Sequence, residues 1–291
     1  MLNQAEKGNF KQQLAAFFNG RTNYDKESDF HPRLANRLLE ISQLHRGQNI
    51  LDVATGTGLV AIPAAKIVAP EGKVIGVDIS TGMLSQAQQK IDAEGLQNIE
   101  LIEPDANKLD FSNNSFDAIL CSSAIVWFTD IPGVLRLWHR FVKKGGVVVF
   151  STFSDTSFTT YALIKKIAQK YGIFISDVKE PLGSPGKCHK MLQEAGFVDI
   201  EVKIEQFGAY LNRSDVEKAW KENWKTPGGN PVLQLQPQKL KQFEAEYMAE
   251  VEVLATDQGI WNDITTLLCT SSEVSRFAPQ GGQNAHATRK Y

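Results

Sequence analysis

Short continuous apolar runs alternate along the chain with longer stretches whose apolar residues recur at helical spacing. Residues 10–45 read as helical: Pro32 suits a first helical turn, Leu34, Leu38, Ile41 and Leu44 share one face, and Gly47 marks a stop. A strand follows at 49–53, then an alanine-rich helix at 58–69 that Pro63 can distort, then a strand at 73–77. Ser80 caps the next helix and Gly95 ends it, with Met83, Leu84, Ala87 and Ile91 on the buried face. Strands at 99–102 and 116–121 lead to a helix at 132–142 with Leu135, Trp138 and Val142 inward. Gly145-Gly146 then turns into a strand at 147–152.

Parallel strands need crossovers, and helices are the usual ones. The strands are continuous apolar runs, as expected when both faces of a sheet are covered. Residues 47–152 therefore read as an open, doubly wound α/β sheet. Beyond 152 the pattern predicts helices at 156–171 and 186–195, a strand at 197–206, and a capping box from Ser214 to Glu217. A helix from Pro237 carries Leu240, Phe243, Tyr247, Val251 and Leu254 on one side, and a last strand covers 264–269. Residues 225–238, rich in Pro, Gly and Gln, read as a loop, and the polar stretch 276–291 as a disordered tail.

Composition narrows the function. The 291 residues carry a net charge of -2, so no strong field favours nucleic acid or an anionic membrane. No apolar run approaches a membrane span, and the N-terminus lacks a basic-then-apolar signal pattern. Cys121, Cys188 and Cys269 are too few and too scattered for a disulfide framework or a metal site. A cytoplasmic protein with no metal and no nucleic-acid partner is expected.

The chemistry-bearing stretch is Ile50 to Ile62, ILDVATGTGLVAI. An acid, Asp52, closes the strand, and the turn Ala54-Thr55-Gly56-Thr57-Gly58 is nearly bare of side chains. Such a turn lets a ligand reach the backbone and the following helix N-terminus; a tight turn made for packing has the same composition. Asp78 ends the next strand about 20 residues on, where a carboxylate can accept both hydroxyls of a ribose. A dinucleotide fingerprint can be forced as G-x-G-x-x-A through Ala61. Asp52 would repel a pyrophosphate, however, and would favour the cationic S-adenosyl-L-methionine.

On these residues the chain resembles the class I S-adenosylmethionine-dependent methyltransferases, in the group of the ubiquinone/menaquinone C-methyltransferases. LDVATGTG is similar to the first motif of that family, and VIGVDIS with Met83-Leu84 to the second. PDANKLDFSNNSFDAILCSSAIVWFTD resembles the third and fourth motifs, and FVKKGGVVVF a segment in which Lys144 stands where proline is usual. The resemblance implies a mostly parallel, seven-stranded, Rossmann-like sheet with an N-terminal helical lid and a helical cap inserted before the last strand. It divides the chain into a lid (1–46), a cofactor core (47–155), the rest of the sheet with an acceptor-binding cap (156–275) and the tail (276–291). Ala54, Thr55, Gly56 and Gly58 would then give backbone access to the methionine part and Asp52 would hold its ammonium. Asp78 would take the ribose, and Ile79 and Met83 would flank the adenine. Asp105 and Ala106 would meet its amino edge, with Ser122 near the methyl donor.

For the acceptor, Tyr24 and His31 in the lid are candidate catalytic groups, and Trp127 and Phe128 candidate contacts for a small apolar or aromatic molecule. Acceptors in view are a quinone precursor, a phenol, a carboxylate or a specialised metabolite. Trp220, Trp224 and Trp261 suit a lid over an apolar pocket or an ordinary helical core. Two rivals remain: a nicotinamide-dependent oxidoreductase using Tyr161 and Lys165, and a cofactor-binding protein without catalysis.

Overall fold

The computed structural model describes residues 4–273, apart from 104, 107, 108 and 223–230. The strands are β1 (Asn49–Val53), β2 (Lys73–Val77), β3 (Ile99–Ile102), β4 (Phe116–Cys121), β5 (Val142–Phe153), β6 (Val198–Gln206), β7 (Ala209–Leu211), β8 (Ala255–Thr256), β9 (Gly259–Asn262) and β10 (Thr265–Ser272). The helices are α1 (Gln4–Asn19), α2 (Phe30–Ser42), α3 (Ala61–Val68), α4 (Thr81–Glu94), α5 (Ile131–Phe141), α6 (Thr159–Lys170), α7 (Pro185–Glu194), α8 (Arg213–Glu222) and α9 (Pro237–Val253).

The main sheet runs β3-β2-β1-β4-β5-β10-β6. β1 to β5 are parallel, and β10 lies antiparallel between β5 and β6. Strand residues alternate between two covered faces. On one face Ile50, Val74, Ala118, Leu120 and Val149 pack against Ala61, Ala64, Ala65 and Val68 of α3 and Leu38 of α2. On the other, Leu51, Val53, Ile119, Val148 and Phe150 meet Leu135 and Trp138 of α5 and Cys188 and Leu192 of α7. Each such fully buried Leu, Ile or Val contributes about 1.5–3 kcal/mol over its exposed state. The three cysteines are free and buried. Among the described residues no helix is long and apolar enough to cross a membrane.

Residues 156–273 finish the sheet and add a second core. A small sheet, β7-β9-β8, closes against α6, α8 and α9 around Leu163, Ile164, Ile167, Val216, Trp220, Phe243, Tyr247 and Ile260. This sheet was not legible from hydropathy.

Three local expectations need correction. The helical stretch at 10–45 is two helices, because Gly20, Thr22 and Asn23 are poor helix formers and the chain turns at residues 20–29. Gly145-Gly146 is not a turn but a bulge inside β5: Gly145 has φ +74°, and the register against β4 shifts between Phe116 and Ala118. A Cβ on Gly146 would lie 2.8 Å from the Asp117 carbonyl oxygen. The capping box of α8 sits two residues earlier than expected. Asp215 N–H donates to Asn212 Oδ1 at 2.9 Å, and Asn212 N–H donates back to Asp215 Oδ2 at 3.1 Å. Trp224 and the tail 276–291 lie outside the described residues.

Candidate active site

Ligands of open α/β sheets collect beyond the carboxyl ends of the strands. There the glycine turn leaves β1 with Ala54 in the left-handed region (φ +57°), then Gly56 (+57°) and Gly58 (+82°). Thr55 N–H donates to the Val77 carbonyl at 3.0 Å, tying the turn to β2. The two glycines do different work. A Cβ on Gly56 would meet nothing within 4 Å, so its backbone faces open space. A Cβ on Gly58 would lie 2.8 Å from Ile62 Cδ1 and 3.5 Å from Ala87 Cβ. Gly58 is not among the residues lining the cleft, and the side where a Cβ would sit faces the packing of α3 against α4.

The acids are held rigidly. Asp78 sits just past β2, its Oδ2 accepting from Gly56 N–H and its Oδ1 from Ser80 N–H, both at 2.8 Å. Burial raises its pKa, and those amides with that of Ile79 oppose the rise. Asp52 is 1 % exposed and accepts from the Thr55 hydroxyl at 2.6 Å. Burial pushes its carboxyl up to about 7, with Asp78 adding to the rise and the Thr55 hydroxyl and Ala61 amide opposing it. Among the described residues no lysine or arginine forms an ion pair with Asp52. Asp105, beyond β3, carries the Lys11 ammonium on its Oδ2 at 2.6 Å.

α1 and residues 20–31 roof the other side. Tyr24 and His31 stack with centroids 4.6 Å apart and planes at 26°. Arg21 lies 4.5 Å from the Tyr24 centroid and ion-pairs with Glu27. Phe18 meets Trp127 edge-on at 6.4 Å. Burial first, then the Arg21 charge, lowers the His31 pKa to about 4, so its imidazole is neutral near pH 7. Burial raises the Tyr24 phenol well above its ordinary value, so it stays protonated and can donate. Trp127 and Phe128 follow β4 on a single 3-10 turn, where Trp127 N–H donates to the Ala124 carbonyl at 2.9 Å.

These groups line one cleft that opens to solvent. Of the residues singled out from sequence, Tyr24, His31, Asp52, Ala54, Thr55, Gly56, Asp78, Ile79, Met83, Asp105, Ala106, Ser122, Trp127 and Phe128 all line it. Sequence reasoning missed Lys11, Leu14 and Phe18, although their spacing puts them on one face of α1. The described residues of 156–273 contribute nothing to the lining. Trp220 is enclosed in the second core and Trp261 meets Tyr210 edge-on at the surface, so neither covers the cleft in this structure. Tyr161 and Lys165 are elsewhere as well: Tyr161 donates to the Ser176 carbonyl at 3.2 Å and Lys165 pairs with Asp177 at 2.6 Å.

The cleft fits a ligand with a cationic end, a vicinal diol and an aromatic base. A buried acid without a basic partner suits the cation, a carboxylate pinned at the strand end suits the diol, and Met83 and Ile79 suit the flat ring. S-adenosylmethionine has these three parts.

Comparison with known proteins agrees. The family model described as the ubiE/COQ5 methyltransferase family matches residues 23–184. A demethylmenaquinone methyltransferase of Geobacillus kaustophilus is 34% identical over 193 residues, 61% of this chain and 82% of the relative. Aklanonic acid methyltransferase DauC of Streptomyces is 32% identical over 143 residues, 49% of this chain and 65% of the relative. Among solved structures, the YcgJ protein of Bacillus subtilis shares the fold with TM-score 0.60 at 16% identity, over 84% of this chain and all of that one. A Haemonchus contortus phosphoethanolamine N-methyltransferase solved with S-adenosyl-L-methionine does so with TM-score 0.53 at 18% identity, over 84% of this chain and 53% of that one. The chain belongs to the ubiE/COQ5 methyltransferase family and is an S-adenosylmethionine-dependent methyltransferase of a small molecule.

Proposed function

We propose that the cleft holds S-adenosylmethionine through Asp52 at the ammonium end, the Gly56 backbone along the methionine, Asp78 at the ribose and Asp105 with Ala106 at the adenine, and that the acceptor is a flat, hydroxylated ring of the quinol class. The bound cofactor supplies a methyl group already activated on its sulfonium. The protein's part is alignment, exclusion of water and removal of a proton from the acceptor. Phe18, Trp127 and Phe128 provide apolar walls that receive a ring and shed its water. Tyr24, protonated, donates a hydrogen bond to a ring oxygen. His31, neutral, accepts a hydrogen bond from the acceptor hydroxyl and takes its proton as the methyl bond forms, when that hydroxyl becomes strongly acidic.

The observation that carries the reading is the Tyr24–His31 stack, set in the lining of the same cleft as the glycine turn and the acids. The relatives named for demethylmenaquinone support a quinone-type acceptor. An amine acceptor needs no base when it reacts as the free amine, which leaves this pair without a task.

The test is methyl transfer to a panel of a reduced naphthoquinone, simple phenols and alkylamines, with product analysis for carbon or oxygen methylation. Turnover is expected on the quinol. His31→Gln should lower kcat about a hundredfold with little change in the KM for the cofactor. Since His31 titrates at about 4, wild-type kcat/KM should show no limb from this group between about pH 6 and 8. Turnover of amines alone, or full activity in His31→Gln, would contradict the proposal. Tight cofactor binding with no turnover on any acceptor would favour a non-catalytic role.

A further inference from the structure

The lid is fastened at three places, and two of the fastenings, at Thr57 and at Asp105, use a residue that lines the cleft. Asn19 Oδ1 accepts from Gly82 N–H and from the Ser80 hydroxyl, both at 2.8 Å, at the N-terminus of α4. A Cβ on Gly82 would lie 2.9 Å from Asn19 Cα, so glycine permits this approach. Asp25 accepts from the Thr57 hydroxyl and the Lys90 ammonium, and Lys90 also donates to the Thr57 carbonyl at 2.7 Å. Lys11 donates to Asp105 at 2.6 Å, the two side chains only 20% and 18% exposed. The first two contacts hold the end of α1 and the turn after it. The third lies two turns earlier, over the adenine end, and uses a carboxylate that also borders the cavity.

We propose that the Lys11–Asp105 ion pair is a latch that holds α1 closed over the adenine end, so that cofactor and its product enter and leave when the pair parts. The proposal rests on the reading of this cleft as the cofactor site. When the pair breaks, α1 is free to swing about Asn19, lifting Lys11, Leu14 and Phe18 from the cleft. A gate acts on traffic in both directions, whereas a residue that only touches the bound ligand slows its departure alone.

The test is stopped-flow association and dissociation of S-adenosylhomocysteine with the wild type and Lys11→Met. Tryptophan emission reports the lid, because Phe18 packs on Trp127, and filter binding of radiolabelled ligand gives a second readout. In Lys11→Met both rate constants should rise roughly three- to tenfold, as expected for loss of a half-buried pair, and Kd should change less than either. Raising salt from about 0.05 to about 0.5 M should speed both steps in the wild type and neither in the variant. Lys11→Arg should restore the slow rates. Unchanged rates, or a change in dissociation alone, would overturn the latch while leaving the cofactor site intact. Absence of saturable binding by the wild type would overturn the cleft reading and the latch with it.

Discussion

The cleft and the helical subdomain are both rich in aromatic rings, but they use them differently. In the subdomain Trp220 stacks on Tyr247 at 4.8 Å and on Phe243 at 5.8 Å, within a closed core. In the cleft Phe18, Tyr24, His31 and Trp127 touch one another on one side and line open space on the other. Tryptophans outside the sheet are therefore poor markers of an acceptor pocket. Proximity to the carboxyl ends of β1, β2 and β4 is the better guide, because it fixes which rings stand beside the reacting group.

The contrast is sharpest for stability against binding. Trp220→Ala should cost about 3–5 kcal/mol in the subdomain by leaving a cavity, read as an early calorimetric transition, while cofactor affinity stays within about twofold. Asp78→Ala should do the reverse. It removes a charged acceptor from the cleft and frees the Gly56 and Ser80 amides, so affinity should fall about a hundredfold by titration, with a smaller loss of stability.

Asp52 gives a pH signature with opposite signs for binding and folding. A cationic ligand prefers the ionised carboxyl, so S-adenosylmethionine affinity should rise by up to about tenfold per pH unit towards pH 7, then level off. Folding prefers the protonated form, because the folded pKa of about 7 exceeds the ordinary 3.8. That contribution is full below about pH 4 and is lost as pH rises to about 7. Asp52→Asn should flatten both profiles.

The glycines offer a smaller comparison. Gly58→Ala should lower stability by about 1–2 kcal/mol through its left-handed backbone and crowding against Ile62, with affinity following only indirectly. Gly56→Ala meets open space and should weaken cofactor binding about tenfold for a smaller loss of stability. Smallest of all, Trp261→Ala at the surface should leave affinity unchanged within error.

Much of this was legible in the sequence. β1, β2, β3 and β4 carry apolar runs between clear turn residues, and α4 has both its Ser80 cap and its Gly95 stop. Asp52 and Asp78 stand at the ends of β1 and β2, so their position followed from strand boundaries alone. Other features depend on contacts between distant residues. β8 spans Ala255–Thr256, too short for any period to show, and β7 finds its partner through Tyr210↔Trp261. Gly56 and Gly58 look alike in a motif and differ only in what surrounds them. Lys11 reaches Asp105 across 94 positions, which no local pattern encodes.

On the proposal above, the cleft at the ends of β1 and β2 binds S-adenosylmethionine through Asp78. Calorimetric titration of the wild type and Asp78→Ala with S-adenosylmethionine, S-adenosylhomocysteine and NADH tests it most directly. Micromolar binding of the first two by the wild type, weakened about a hundredfold in the variant, is expected, with no binding of NADH. Binding of NADH alone, or equal affinity in the variant, would contradict it.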